Sequence, residues 1–187
     1  MATKIVTGKV RFSFVHIFEP QAPAGGQGDP KYSVTLLIPK ADSATYTKMK
    51  DAMKEAADKF RERNGAASLP VKFSHTLHDG DGERDSGEPY GPECKGCWVI
   101  TVSSKQKPVI VDAFRNEITD PGEVYSGCYG RASINFYGYN QAGKKGVSAG
   151  LLSIQKLSDG EPFGTVGSAD DFDDGFSDIE DDDDFMA

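Results

Sequence analysis

The stretch YGRASINFYGY at residues 129–139 sets chemically useful side chains at strand spacing. Read as a strand, it points Ala132, Ile134 and Phe136 to one side and Arg131, Asn135, Tyr137 and Tyr139 to the other. Arginine and tyrosine on one solvent face suit a single-stranded nucleic acid. Cations meet the phosphates, and flat rings take unstacked bases at ~1–3 kcal/mol each. Either tyrosine alone has a plainer use, pairing with a cross-strand neighbour. The surrounding charge favours binding. Lys9 and Arg11 fall on the outward side of an N-terminal alternating stretch, and Lys31 opens the next one. Lys105, Lys107, Arg115, Lys144 and Lys145 lie in connections. Together these residues outline a cationic groove with stacking platforms. Trp98 shares its parity with Ile100 and Val102 and is assigned to the core.

Other motifs fail on spacing. DGDGERD invites a calcium reading, but counted from Asp79 the sixth and twelfth places hold Arg84 and Tyr90, where an EF-hand loop needs Gly and Glu. GGQGDP and GKKG lack the Gly-Lys-Ser/Thr ending of a phosphate-binding loop. His75, His78, Cys94 and Cys97 have the chemistry and finger-like spacing of zinc ligands. The competing reading is a Gly/Pro-rich loop with two incidental thiols beside strand-end histidines, and no metal is assigned. A nuclease metal site built from the acids of residues 79–93 would lack rigid support. No Ser/His/Asp or Cys/His set is favoured by spacing, so the chain reads as non-enzymatic and without a cofactor.

Charge is segregated along the chain. The net charge is −8, yet residues 160–187 carry 11 of the 29 acids and no base, which leaves residues 1–159 at +3. Six more acids sit between Asp79 and Glu93. The terminal stretch alternates carboxylates with isolated rings: Phe172, Phe176, then Asp181, Asp182, Asp183, Asp184 and Phe185. Negative charge interleaved with flat apolar groups imitates single-stranded DNA, so such a tail would compete for the same groove. A disordered segment of this length reaches ~25–30 Å, against a body radius of gyration of ~15 Å. It also suits a basic, apolar pocket on a replication partner. A purely solubilising tail is the bland alternative.

These residues need a scaffold. Residues 5–18 alternate, with Val6, Val10, Phe12 and Phe14 on one side and Thr7, Lys9, Arg11 and Ser13 on the other. KYSVTLLIP repeats the pattern. From Asp42 or Ser43 as N-cap, Tyr46, Met49, Met53, Ala56, Ala57 and Phe60 recur at helical spacing up to Asn64 and Gly65. VKFSHTL, WVITVSS, PVIVDAF and a hairpin around QAGKKG supply more strands, and HDGDGERDSGEPYGPECKGC reads as an exposed excursion. The expectation is mainly β: a five- to six-stranded Greek-key barrel with one amphipathic helix over residues 1–159, and a disordered acidic tail over 160–187. Periodicity alone also permits a β-sandwich. An N-terminus without an apolar stretch, no long apolar run and three cysteines predict a cytosolic protein with reduced thiols and no membrane association.

The run SGCYGRASINFYGYNQAGKKGVSAGLLSIQKLSDGE, the opening GKVRFSFVHIFEP and the terminal DDDDF resemble phage single-stranded DNA-binding proteins of the acidic-tail type, over most of residues 5–160. That resemblance implies an OB-fold domain that coats replication intermediates. It also implies a tail that modulates DNA access and contacts polymerase or other replication proteins. Related tails end at the phenylalanine, whereas Met186 and Ala187 follow Phe185 here. An acidic adaptor or DNA mimic that acts through its tail on a basic protein is the alternative, and homo-oligomerisation is left open.

Overall fold

In the computed structural model, which describes residues 3–163 except 24, 25, 27, 85 and 142, strand parity decides which side chains fill the interior. The chain runs β1 (Lys4–Val6), β2 (Val10–Gln21), β3 (Lys31–Pro39), helix α1 (Ser43–Asn64), β4 (Ser74–His75) and β5 (Leu77–Asp79). It continues with β6 (Cys97–Ser104), β7 (Val109–Val111), β8 (Tyr129–Gln141) and β9 (Lys144–Ser158). Strands β2, β3, β6, β9 and β8 close a ring in which β6 and β9 are parallel and every other pair is antiparallel. That closure is the Greek-key order of an OB barrel. The short strands β1, β4, β5 and β7 extend its seams.

Alternate residues of the ring form the core: Val10 and Phe12, Val34, Leu36 and Ile38, Ile100 and Val102, Ala132, Ile134 and Phe136, and Val147, Ala149 and Leu151. Helix α1 adds Met49, Ala52, Met53, Ala56 and Ala57 along one stripe. Asp42 starts it by accepting the Thr45 N–H at 3.1 Å and the Thr45 hydroxyl at 2.6 Å. The Thr45 Oγ1 in turn accepts the Gly8 N–H at 2.9 Å, tying the helix start to the turn between β1 and β2. At its far end Phe60 lies against Gly138 of β8, where a Cβ would come within 2.6 Å of the ring. The helix stops at Gly65, whose φ of 98° suits glycine and whose N–H donates to the Arg61 carbonyl at 2.8 Å.

Three expectations change. The stretch 5–18 is two strands, with Thr7 buried in the break and Val6 facing out. Phe14 is 58% exposed instead of core. The four residues of β2 from Ser13 to His16 oppose three of β3, Thr35 to Ser33, and Phe14 in the bulge adopts φ 47°, so parity inverts and Ile17 takes the inward place. PVIVDAF holds a three-residue strand followed by a tight turn at Asp112. The segment after His78 is no free excursion. Its start is β5, its end is the 3-10 turn Pro92–Cys94, and Cys94 packs in a second apolar cluster with Leu37 and Val99.

Candidate nucleic-acid interface

Inward parity for one set of residues forces the alternate set of β3 and β6 outward. On this outer face Ser33 pairs with Ser103, Thr35 with Thr101, and Leu37 with Val99. The first row runs on to His16 of β2 on one side and Gly150 of β9 on the other, crossing four strands. The Thr35 and Thr101 hydroxyls share a hydrogen bond of 3.0 Å, with Ser13 opposite Thr35. The Tyr137 ring lies beside Gly150: its Cε1 is 3.6 Å from where a Cβ would sit, and Tyr137 is 43% exposed. Hydroxyls, backbone and one ring make a shallow floor that would accept bases and sugars.

Cations stand at the rims. Lys31 begins β3, and Lys105 follows β6 and reaches Asp29 at 2.9 Å, with both groups mostly exposed. That contact holds the Asp29 carboxyl below its usual value. Lys107 lies 5.9 Å from the Phe18 ring. Along β8, Tyr139 faces Gly146, and Lys144 and Lys145 begin β9 at the hairpin. Phe14 adds an exposed ring on β2, next to the Ser13 that pairs with Thr35. Sequence reasoning missed Phe14, because alternation made it core and no local signal announces the inversion after Ser13. In OB barrels the face of the second and third strands and the loops flanking it bind oligonucleotides. Here those are β3, β6, the 22–30 connection and the β8–β9 hairpin.

The other end of the face is covered. Leu37, Val99 and Cys94 lie beneath Tyr90, Cys97 and Phe163. Lys40 pins the cover, reaching Asp79 at 2.6 Å and Asp81 at 2.7 Å; these contacts raise the Lys40 pKa and lower both carboxyls. Burial pushes the Cys94, Cys97 and Cys128 thiols upward. Arg11 is partly engaged here. Its Nε donates to the Gly127 carbonyl at 2.9 Å and its Nη2 to the Glu161 carbonyl at 2.7 Å, and its guanidinium sits 4.2 Å from the Phe163 ring. Lys9 lies 5.2 Å from Tyr129 beside it.

The predicted residues therefore fall in three places: Lys31, Lys105, Lys107, Tyr137, Tyr139, Lys144 and Lys145 around the open part of the face, Lys9 and Arg11 at its covered end, and Arg115 and Arg131 on another flank. Phe172, Phe176, Asp181 to Asp184 and Phe185 lie outside the described residues. Trp98 stacks on Tyr46 of α1 at 4.7 Å and packs against the core. Among the described residues no group of three or more His, Cys, Asp or Glu is placed to hold a metal. His75 is partly buried, which lowers its pKa.

Residues 3–186 match the family model described as the ssDNA-binding protein of Enterobacter phage Enc34. The chain belongs to this family. Protein p50 of Acyrthosiphon pisum secondary endosymbiont phage 1 is 34% identical to it over 181 residues, covering 91% of this chain and 93% of that protein. The Enc34 single-stranded DNA-binding protein in complex with ssDNA has a similar structure: TM-score 0.70 and 32% identity, covering 87% of this chain and 90% of the other. Its C-terminally truncated form gives a TM-score of 0.72 at 29% identity, over 86% and 89% of the two chains. The single-stranded DNA-binding protein gp2.5 of bacteriophage T7 shares the fold, with a TM-score of 0.59 at 16% identity over 95% and 96%. The Enc34 family is one of ssDNA-binding proteins, and the barrel described above is its architecture here. No described helix is long and apolar enough to cross a membrane.

Proposed function

We propose that this protein binds single-stranded DNA, largely without sequence preference, over the open part of the β3–β6 face, and protects and organises it during phage replication, recombination or repair in the infected bacterial cell. The observation that carries the reading is the row His16, Ser33, Ser103 and Gly150 with the Tyr137 ring beside its end and Lys31, Lys105 and Lys107 at one rim. Rings and hydroxyls that contact any base, with amines for phosphates, give affinity without a base-specific code. The similarity to the Enc34 protein, whose complex with ssDNA is known, supports it.

The tail has a defined starting point in this reading. Phe163 packs over Leu37, and Leu37 is four residues along β3 from Ser33, ~14 Å at strand rise. Residues 164–187, with ten carboxylates, thus leave from the covered end of the proposed DNA face. Tethering gives them an effective concentration in the millimolar range, enough to displace weakly held polyanions. When DNA occupies the face, Phe172, Phe176 and Phe185 with their flanking acids become available to replication proteins such as a polymerase.

Titration of labelled oligo-dT at several salt concentrations tests this, using the full chain and a form ending at Phe163, which keeps the Arg11 and Phe163 contacts. Salt-sensitive binding that tightens in the shortened form is expected. Absence of binding by both forms would refute the function; equal binding by both would refute competition by the tail.

A further inference from the structure

Arg115 and Arg131 sit apart from the β3–β6 face, on the outer side of β7, β9, β8 and β1. There Val111, Gln155 and Arg131 form one row, and Val109, Ser153, Ser133 and Val6 the next. Between them is a depression of about 210 Å³. Val6, Val111 and Ile154 give it apolar walls, and Arg115, Arg131 and Ser133 bring polar groups to it. The Arg115 backbone and the Arg131 side chain are held in place. Arg115 has φ 67° within a turn whose Asp112 carboxylate accepts the Phe114 and Asn116 N–H groups at 2.8 and 2.9 Å. The Arg131 Nε donates to the Thr7 carbonyl at 2.9 Å, which fixes the guanidinium and leaves its terminal nitrogens. Among the described residues no carboxylate lies within ion-pair distance of either guanidinium. Ser133 is 8% exposed, and its buried hydroxyl has no hydrogen-bond partner. A buried hydroxyl is normally satisfied, so one beside two unpaired guanidiniums points to a missing acceptor.

We infer that this depression is a second phosphate site, so that one DNA strand contacts the protein in two separate places. The inference rests on the binding proposed above. A phosphodiester supplies anionic oxygens for two guanidiniums and the serine hydroxyl, while its sugar meets Val6 and Val111. Continuity with the first site favours DNA over an acidic peptide. The outer side of β8 presents Arg131, Ser133, Asn135 and Tyr137 in succession, so the depression and the Tyr137 platform share one strand. They are ~20 Å apart at strand rise, about six nucleotides at stacked spacing. A short oligonucleotide fills one site; a longer one spans both.

The test compares oligo-dT of about 4 and about 16 nucleotides, the two ends of the range that one OB fold covers, on the full-length chain and three variants. Arg115→Gly removes a guanidinium and suits the positive φ, so its fold is retained. Ser133→Ala removes the unsatisfied hydroxyl at no cost in packing, and Arg131→Lys keeps a charge while losing the fork. Expected for Arg115→Gly is ~5- to 10-fold weaker binding of the long strand, a salt slope flatter by ~0.7, and unchanged binding of the short one. Ser133→Ala and Arg131→Lys should weaken the long strand in the same selective way at unchanged melting temperature. Unchanged long-strand affinity in all three variants overturns the inference. Equal weakening of both lengths also overturns it, by placing the arginines in the first site. Tighter binding by Arg115→Gly would mean that the depression holds the chain's own acidic tail. If the unmodified protein binds neither length, the proposed function itself fails, and this inference with it.

Discussion

One sheet face, carried by the same two strands, has two unlike ends. At one end the outward residues of β3 and β6 are Ser33, Thr35, Thr101 and Ser103, bordered by Lys31 and Lys105; at the other they are Leu37 and Val99. The apolar end is buried under Cys94, Tyr90 and Phe163; at the hydroxyl end Thr35 is buried, but Ser33 and Ser103 are half-buried and Thr101 is exposed. The protein covers apolar outward residues with its own chain, and it leaves bare the part whose side chains hydrogen-bond to water as readily as to a ligand. Charge follows the same division. The cover over the apolar end comes from the acidic segment 79–94, whereas lysines rim the open end.

Substitutions at matched positions should separate these roles. The largest effect is expected at the covered end: Leu37→Ala should cost ~2–5 kcal/mol of stability in denaturant unfolding, with DNA affinity of the folded protein unchanged. Loss of DNA binding without loss of stability there would merge the two ends. At the open end Tyr137→Ala should weaken oligo-dT binding by ~1–3 kcal/mol and leave stability within ~0.5 kcal/mol, with the salt slope preserved. Lys31→Ala and Lys105→Ala should each flatten the salt slope by ~0.7. The Lys105 pair with Asp29 is too exposed for its loss to register in melting.

The smallest effect concerns the cover. Hydrogen bonds from Lys40 lower the Asp79 and Asp81 pKa values, so their contribution is complete above the ordinary carboxylate pKa of ~3.9 and is lost as pH falls through the depressed values. Relative to free cysteine at the same pH, Cys94 should therefore react slowly with an acid-tolerant disulfide reagent at neutral pH and less slowly below ~4. Lys40→Gln should bring the faster relative rate to neutral pH. Equal rates for both proteins across that range would show that Lys40 does not hold the segment.

Much of the barrel was legible in the sequence because alternation and helical spacing are local. The helix from Asp42 to Gly65, the long β8–β9 hairpin and the outward set Arg131, Asn135, Tyr137 and Tyr139 follow directly from residue order. What was hidden depends on pairing between distant strands. The inversion after Ser13 that exposes Phe14 requires β3 as a partner with one residue fewer. The packing of Cys94 and Phe163 on Leu37 requires closure of the ring, and composition had marked the Gly-rich segment as exposed. Arg11 shows what charge and parity leave out: two of its five N–H donors already go to the carbonyls of Gly127 and Glu161. Similarly, no spacing rule separates Arg115 and Arg131 from the lysines around Tyr137, because only the barrel's curvature puts them on different flanks.

The central claim is that DNA lies on the hydroxyl end of the β3–β6 face. Photocrosslinking of an oligonucleotide that carries iodinated uracils, followed by peptide mass spectrometry, tests it most directly. Adducts on Tyr137 and Phe14, with none on Trp98 or Tyr46 at the helix-covered side, are the expected result. Adducts confined to Trp98, Tyr46 or Tyr125 would contradict it.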